Sequence, residues 1–209
     1  MPRTYRLKKR ADSQRATRQR IEAAAIALHE EVGGAAATIT AIAERAGVSR
    51  LTVYRHFPDE RSLLLACTGT YLGANPPPDP RDWARIADPE MRLRVALAEL
   101  YPYYRRNQGL LARADDEMPA NQTLADVLTP YRDAIAEMAE VLVRGWTDDP
   151  FPNASVRAAT GLAVAFSTWR TLAVEQGLTD FDAASLMLNF VQAASGSEAA
   201  DWRSETVPA

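Results

Sequence analysis

Residues 38–57 read Thr-Ile-Thr-Ala-Ile-Ala-Glu-Arg-Ala-Gly-Val-Ser-Arg-Leu-Thr-Val-Tyr-Arg-His-Phe. In this stretch two short helical patterns lie on either side of Gly47. Thr38 is suited to cap the first helix and Ser49 to cap the second. The inward positions are apolar: Ile39, Ile42, Ala43 and Ala46 in the first helix, Val53 and Phe57 in the second. Because glycine adopts the positive φ of a tight turn without strain, the stretch predicts two steeply crossing helices, a helix-turn-helix.

The second of these helices keeps one face free of the small core. That face comprises Arg50, Leu51, Thr52, Tyr54, Arg55 and His56. It is short, polar and rich in hydrogen-bond donors, which suits the major groove of duplex DNA, where arginine bonds guanine acceptors. The alternative, that the helix pair is only a folding unit, does not account for so many outward donors. We therefore predict that this helix reads DNA.

The charge of the chain is divided unevenly. Net charge is −3, but residues 1–65 carry 12 Lys or Arg against 7 Asp or Glu, whereas residues 66–209 carry 12 against 20. This division predicts a phosphate-facing N-terminal part on an acidic body. Residues 1–14 are interpreted as a basic flexible arm that lies along phosphates or enters a minor groove, a passive solvated tail being the alternative. The arm's candidate DNA contacts are Arg6, Lys8, Lys9 and Arg10.

Helical periodicity continues along the rest of the chain. Apolar residues recur at spacings of three and four, and no sustained alternation typical of strands is found. The sequence predicts an all-α protein. Its expected parts are the arm at 1–14, a three-helix DNA-binding domain at 15–72, a proline-rich linker at 73–87, a second helical domain at 88–194 and a disordered tail at 195–209.

Several classes of protein are excluded by composition. One cysteine in 209 residues allows no internal disulfide. The longest near-apolar run, 158–166, is shorter than the roughly 20 residues that span a bilayer. The basic N-terminus is not followed by the apolar stretch of a secretory signal. A cytoplasmic protein without a membrane partner is expected.

The helix-turn-helix stretch also resembles a known family. Ile-Ala-Glu-Arg-Ala-Gly-Val-Ser-Arg-Leu-Thr-Val-Tyr-Arg-His-Phe, followed by Leu-Leu-Leu-Ala, resembles the DNA-binding domain of TetR/AcrR-type regulators over residues 15–72. The resemblance implies that Thr38 and Tyr54 contact phosphates. It places Arg50, Thr52 and His56 at or beside base edges, and it allows Arg55 to contact either bases or phosphates. Ser49, the capping residue, is also a candidate DNA contact.

Two positions depart from the family pattern. Leu51 stands where a small residue is common, and we expect it to press on a thymine methyl. Glu60 replaces the usual lysine near the start of the fourth helix, which removes an expected phosphate contact, with Arg61 beside it.

The resemblance further implies that the second domain binds a small-molecule effector and forms a homodimer, and that the chain is a repressor released from its operator by that effector. The helix predicted over 155–176 is apolar on two faces, so it has to bury against two surfaces. With the helix predicted over 180–194 it could form a four-helix bundle across a two-fold axis, although a helix inside one large core is the alternative.

Aromatic residues of the second domain are the candidate effector pocket: Trp83, Tyr101, Tyr104, Tyr131, Phe166 and Trp169. Such a pocket predicts an apolar or aromatic effector. Ordinary core packing is the alternative reading of these residues. We expect Pro102 to bend its helix beside Tyr101 and Tyr104.

Other functions find less support. The two histidines, His29 and His56, both lie in the N-terminal part, away from the second domain. Asp115, Asp116 and Glu117 are consecutive and are interpreted as a solvated acidic turn. We therefore expect no enzyme, metal site or cofactor. An architectural DNA-binding protein without an effector remains the alternative to the effector-responsive repressor.

Overall fold

The computed structural model describes residues 3–34, 36–146 and 154–196, with side chains from residue 8 onward. Every regular element in this part of the chain is a helix, and the prediction of an all-α protein is confirmed. The helices are α1 (Arg3–Val32), α2 (Ile39–Ala46), α3 (Arg50–His56), α4 (Glu60–Ala74), α5 (Pro80–Trp83), α6 (Pro89–Glu117), α7 (Gln122–Val127), α8 (Thr129–Leu142), α9 (Ala154–Val164), α10 (Phe166–Trp169), a π-helical segment (Arg170–Glu175) and α11 (Asp180–Gly196).

Helix α1 is longer than the apolar stripe in its sequence. It begins at Arg3, so most of the stretch expected to be a flexible arm is helical instead. Between residues 3 and 32 there is no glycine or proline, and lysine, arginine, alanine and glutamine all favour a helix. The helix ends before Gly33, whose φ of +80° lies in the left-handed region.

The helix-turn-helix forms with the predicted caps. Thr38 Oγ1 accepts a hydrogen bond from the Ala41 amide at 3.2 Å, and Ser49 Oγ accepts one from the Thr52 amide at 3.2 Å. Gly47 has φ +65° and ends α2. These local hydrogen bonds satisfy amides that a helix start leaves unpaired, so the turn is determined by residues within it.

Gly47 adopts its left-handed conformation in open space. A Cβ added there would meet no atom within 4 Å, so Gly47→Ala should cost only left-handed backbone strain, about 1–2 kcal/mol of unfolding free energy. Gly69 in α4 has the same open space without a positive φ, and Gly69→Ala should leave stability unchanged or raise it by up to about 1 kcal/mol. Urea unfolding followed by circular dichroism measures both. Equal effects of the two substitutions would contradict the assignment of strain to the turn.

The described residues fall into two compact units. The first comprises residues up to Pro77 together with Asn107–Tyr131, and the second comprises Pro78–Arg106 and the residues from Arg132 onward. This division differs from the predicted boundary, because the C-terminal part of α6 and the whole of α7 belong with the DNA-binding helices.

Side chains of α6 explain this assignment. Arg113 donates from Nε to the carbonyl of Glu30 (2.8 Å) and from Nη2 to that of Glu31 (2.7 Å). These carbonyls lie in the last turn of α1, where no helical donor is available. Glu117 Oε1 accepts from the Gly34 amide at 2.6 Å. The predicted acidic turn thus contributes a carboxylate that holds the end of α1.

The core of the first unit joins α1 to α4. Its buried members are Ile21, Ala24, Ala25, Leu28, Ala37, Ile42, Ala43, Ala46, Val53, Phe57, Leu63 and Cys67. A smaller cluster of Leu64, Leu124 and Val127 packs α7 against α4. Both clusters follow the three-and-four spacing of the sequence.

The predicted linker at 73–87 contains structure of its own. Residues 76–79 are non-helical, as the prolines require, but Asp79 caps the short helix α5. Trp83 at its end is 1% exposed, and its Nε1 donates to Glu99 Oε2 at 2.8 Å. The linker is therefore anchored into the second unit.

The prediction of one continuous helix over residues 155–176 is wrong. Helix α9 ends at Val164, and Ala165 takes an extended conformation with φ −73° and ψ 133° before α10 begins. The hydroxyls of Tyr101 and Tyr104 donate to the carbonyls of Ala163 (3.0 Å) and Val164 (2.5 Å). Two distant side chains thus satisfy carbonyls at the break.

Two further expectations concern α6 and the C-terminus. Helix α6 continues through Pro102 as far as Glu117. The predicted tail at 195–209 begins inside α11, which ends at Gly196, and its remaining residues lie outside the described part. Within the described ranges, no helix combines the length and the apolar character that crossing a bilayer requires.

Candidate nucleic-acid interface

Helix α3 exposes most of one face to solvent. Leu51 is 79% exposed and Tyr54 50% exposed, while Arg50 and Arg55 are also exposed. Val53, on the opposite side, is fully buried. The predicted outward face therefore exists, with two cationic, one phenolic and one apolar side chain available to a partner.

Two residues of the predicted face are only half-exposed, Thr52 and His56. The Thr52 hydroxyl lies 2.9 Å from Ser49 Oγ, so the two hydroxyls interact with each other at the start of the helix. His56 Nε2 is buried, and no described residue forms a hydrogen bond with it. Burial lowers the pKa of His56, with further lowering by the charges of Arg55 and Arg18, so the imidazole is mainly neutral at pH 7. Both residues are therefore less exposed than Arg50 and Arg55 on the same helix.

A basic groove runs beside α3. It has a volume of about 530 Å³ and is lined by Lys9, Arg10, Ser13, Gln14 and Arg55. The groove brings α1 and α3 together, although the sequence places their residues more than forty positions apart. Four of these residues, at positions 9, 10, 13 and 14, have the spacing of one helical face. Interpreting residues 1–14 as a flexible arm misses this pattern. Lys8 is exposed, and the side chain of Arg6 lies outside the described part.

Three further residues, Thr38, Glu60 and Arg61, lie at the starts of α2 and α4. Thr38 is exposed at the start of α2, where unpaired amides favour a phosphate. Glu60 Oε1 accepts from Asn121 Nδ2 at 3.3 Å, and Arg61 forms an ion pair with Asp126 at 3.5 Å. The departure from the family at Glu60 thus has an intramolecular partner on the α7 side of the unit.

Four of the six predicted pocket residues form one aromatic cluster. The Tyr104 ring lies 5.4 Å from that of Phe166 and 6.0 Å from that of Trp169, and Tyr101 stacks on Tyr104 at 6.4 Å. Burial raises the pKa of both tyrosines, so their hydroxyls stay protonated and serve as donors to the carbonyls at the helix break. Trp83 lies in the same unit, whereas Tyr131 belongs to the first unit.

Asp180 links this cluster to α6. It accepts two hydrogen bonds from Arg105, from Nε and Nη2 at 2.8 Å each, and one from Trp169 Nε1 at 2.9 Å. The bonds from Arg105, and then that from Trp169, lower the pKa of Asp180 against the opposing effect of burial. The carboxylate therefore remains ionised and orients the indole.

Cys67 shows no sign of a chemical role. It is buried, and burial raises the pKa of its thiol to about 12. A protonated, buried thiol is a poor nucleophile and a poor metal ligand. Cys67 belongs to the buried core of the first unit. Among the residues described, no group of three or more His, Cys, Asp and Glu has the arrangement of a metal site.

Sequence comparison finds a family profile and a curated relative that match this chain. A profile described as "Bacterial regulatory proteins, tetR family" matches residues 21–67. The HTH-type transcriptional repressor KstR of Mycolicibacterium smegmatis is 33% identical over 119 residues, which are 57% of this chain and 52% of KstR. The chain thus spans about half the length of that relative.

Structural comparison extends the likeness to most of the chain. A mutant of HlyIIR has a TM-score of 0.59 at 19% identity, covering 83% of this chain and 94% of its own. A transcriptional regulator of Rhodococcus sp. Rha1 gives 0.56 at 20% identity, covering 86% and 94%. FadR of Thermus thermophilus, a TetR family repressor in complex with lauroyl-CoA, gives 0.53 at 24% identity, covering 85% and 94%. These likenesses confirm the all-helical fold with its N-terminal helix-turn-helix.

Proposed function

We propose that this chain, as a member of the TetR family of bacterial regulatory proteins, is a transcriptional repressor that a small molecule releases from operator DNA. The observation that carries the proposal is the outward face of α3, where Arg50 and Tyr54 are exposed on a helix held by a tight glycine turn. The proposal places the protein in the cytoplasm, where bacterial operators lie.

Base contacts are assigned to the start of α3. Arg50 can donate two hydrogen bonds to a guanine, and Leu51 can contact a thymine methyl. Tyr54 and Thr38 are proposed to contact phosphates, with Thr52, His56 and the capping Ser49 bordering the bases. Arg55 shares its groove with Lys9 and Arg10, so we assign this groove to the sugar-phosphate backbone, which attracts cations at any sequence. Exposed Lys8 is proposed to add to the same basic surface, and Arg6 stays a DNA contact predicted from the sequence alone.

A homodimer is proposed from the second unit. Large apolar side chains of α9, the π-helical segment and α11 are between 48% and 77% exposed: Leu162, Val174, Phe181, Leu186 and Phe190. Phe181 alone is 77% exposed. Apolar surface of this extent favours burial, and a second copy offers the same surface in return. A two-fold axis would also place two α3 helices on successive major grooves, about 34 Å apart.

The effector is proposed to be apolar or aromatic. The support is the cluster of Tyr101, Tyr104, Phe166 and Trp169, together with the buried Trp83 in the same unit. The tyrosine hydroxyls are already engaged, so the rings, rather than the hydroxyls, are assigned to the effector. Tyr131, in the first unit, is not included in this proposed site. An effector that binds more tightly to the conformation with low operator affinity reduces operator affinity. The reduction equals the factor by which operator DNA weakens binding of the effector.

The proposal is tested by selecting genomic fragments on the purified protein and measuring affinity for the preferred one. Arg50→Ala should weaken that fragment by about 1–3 kcal/mol and relax the preference at one position. Tyr54→Ala should weaken preferred and unrelated duplexes to a similar degree, because phosphates carry no sequence information.

Arg94→Ala is the matched control, since Arg94 is an exposed arginine of the second unit that forms an ion pair with Glu90. It should bind as the wild type does. If the wild type shows no sequence preference, the proposed function is wrong. If binding is specific but insensitive to a metabolite library, the effector part of the proposal is wrong and an effector-independent DNA-binding protein is the better description.

A further inference from the structure

We infer that Arg18 and Glu22 of α1 are positioning residues that set the orientation of α3 on DNA, an inference that rests on the proposed function. Neither residue lies on the face predicted to read bases. Arg18 Nη1 donates to the carbonyl of His56 at 3.2 Å, and its guanidinium carbon lies 4.3 Å from the centre of the Phe57 ring. Arg18 therefore touches the last residue of α3 and the residue that ends it.

The contact matters because α3 is short. The helix has seven residues, so its last four carbonyls, which lack helical donors, make up most of its length. A cation at the C-terminal end also complements the helix dipole. Arg18 lies 38 residues before His56 in the chain. Its side chain thus joins the end of α3 directly to the long helix α1.

Glu22 holds the guanidinium in place. Its Oε1 lies 2.9 Å from Arg18 Nε, one helical turn away, and the residue is only 8% exposed. Its other oxygen, Oε2, accepts from Thr70 Oγ1 of α4 at 2.9 Å. Burying a carboxylate costs free energy unless an ion pair and hydrogen bonds offset the loss of water, and these two contacts do so for Glu22. The series Thr70, Glu22, Arg18, His56 thereby connects α4 to α3 through α1.

A direct phosphate contact by Arg18 is the competing explanation, because its side chain is 45% exposed. The two explanations make opposite predictions for Glu22. Glu22→Gln removes a negative charge from the DNA-binding unit, which by charge alone should strengthen DNA binding. A positioning role requires that Glu22→Gln weakens it, because the guanidinium loses the carboxylate that orients it.

The experiment uses the full-length protein and a fluorescent duplex carrying the preferred genomic sequence, titrated at several KCl concentrations. Arg18→Ala and Glu22→Gln should each weaken binding about tenfold, with the dependence of log affinity on log salt unchanged. Loss of one phosphate contact would instead reduce the slope by about 0.9. Arg15→Ala, on the same helix with a side chain 73% exposed, is the control and should change affinity by less than threefold.

If either variant folds poorly, Arg18→Lys distinguishes a positioning role from a direct phosphate contact. Lysine keeps the positive charge but lacks the planar fork that reaches His56 and Glu22 together. A positioning role predicts that Arg18→Lys binds as weakly as Arg18→Ala, and a phosphate role predicts binding like the wild type. Unchanged or stronger binding by Glu22→Gln, or a reduced salt slope for Arg18→Ala, would overturn the inference. Both outcomes differ from failure of the proposed function, in which the wild type itself selects no sequence.

Discussion

Phe57→Ala is expected to lower the free energy of unfolding of the first unit by about 3–5 kcal/mol. Phe57 is 1% exposed and belongs to the core that joins α1 to α4. Its ring also supports the guanidinium of Arg18 at 4.3 Å. Alanine would leave a cavity where the end of α3 packs, and the cation would lose its aromatic partner.

Chemical unfolding followed by circular dichroism measures the loss. Leu51→Ala is the matched control, because Leu51 lies on the same helix but is 79% exposed. Its stability should stay within about 0.5 kcal/mol of the wild type. The pair separates stability from recognition, since Leu51→Ala is expected to act on DNA affinity alone. A loss below about 1 kcal/mol for Phe57→Ala would show that the core does not depend on this ring.

Trp169→Ala is expected to cost the second unit about 3–5 kcal/mol of unfolding free energy. Trp169 is fully buried and contacts Tyr104 and Phe166 with ring-centre distances of 6.0 and 5.5 Å. Its Nε1 also donates to Asp180 at 2.9 Å. Alanine removes both the ring packing and one of the hydrogen bonds that keep the carboxylate ionised.

Trp169→Phe separates these two contributions. It retains most of the apolar burial but leaves Asp180 without the indole donor, so we expect a loss of about 1–2 kcal/mol. Urea unfolding of the two variants under the same conditions gives the comparison. Equal losses for alanine and phenylalanine would mean that the hydrogen bond, rather than ring packing, dominates the contribution of Trp169.

Local signals explain which parts of the DNA-binding unit are predictable. The caps at Thr38 and Ser49 bond amides three residues away, and Gly47 acts through its own φ of +65°. None of these interactions needs a distant partner, so residue type and spacing suffice to place them. The orientation of α3 was predictable for the same reason, because Val53 and Phe57 define its inward side.

Long-range contacts explain which features were missed. The helix break at Ala165 depends on hydroxyls from Tyr101 and Tyr104, about sixty residues earlier in the chain. The sequence of α9 through the π-helical segment contains no proline that would mark the interruption. The groove shared by Lys9, Arg10 and Arg55 likewise depends on a long-range contact, because the N-terminal turns of α1 lie beside α3.

Periodicity, caps and a glycine turn act within a few residues, so the all-helical class, the helix-turn-helix and the solvent-facing side of α3 follow from the amino-acid sequence. The break in the long helix, the assignment of the end of α6 to the first unit and the contact of Arg18 with His56 arise only in the folded chain. Those features depend on side chains that are far apart in the chain, and their spacing in sequence carries no information about which of them meet.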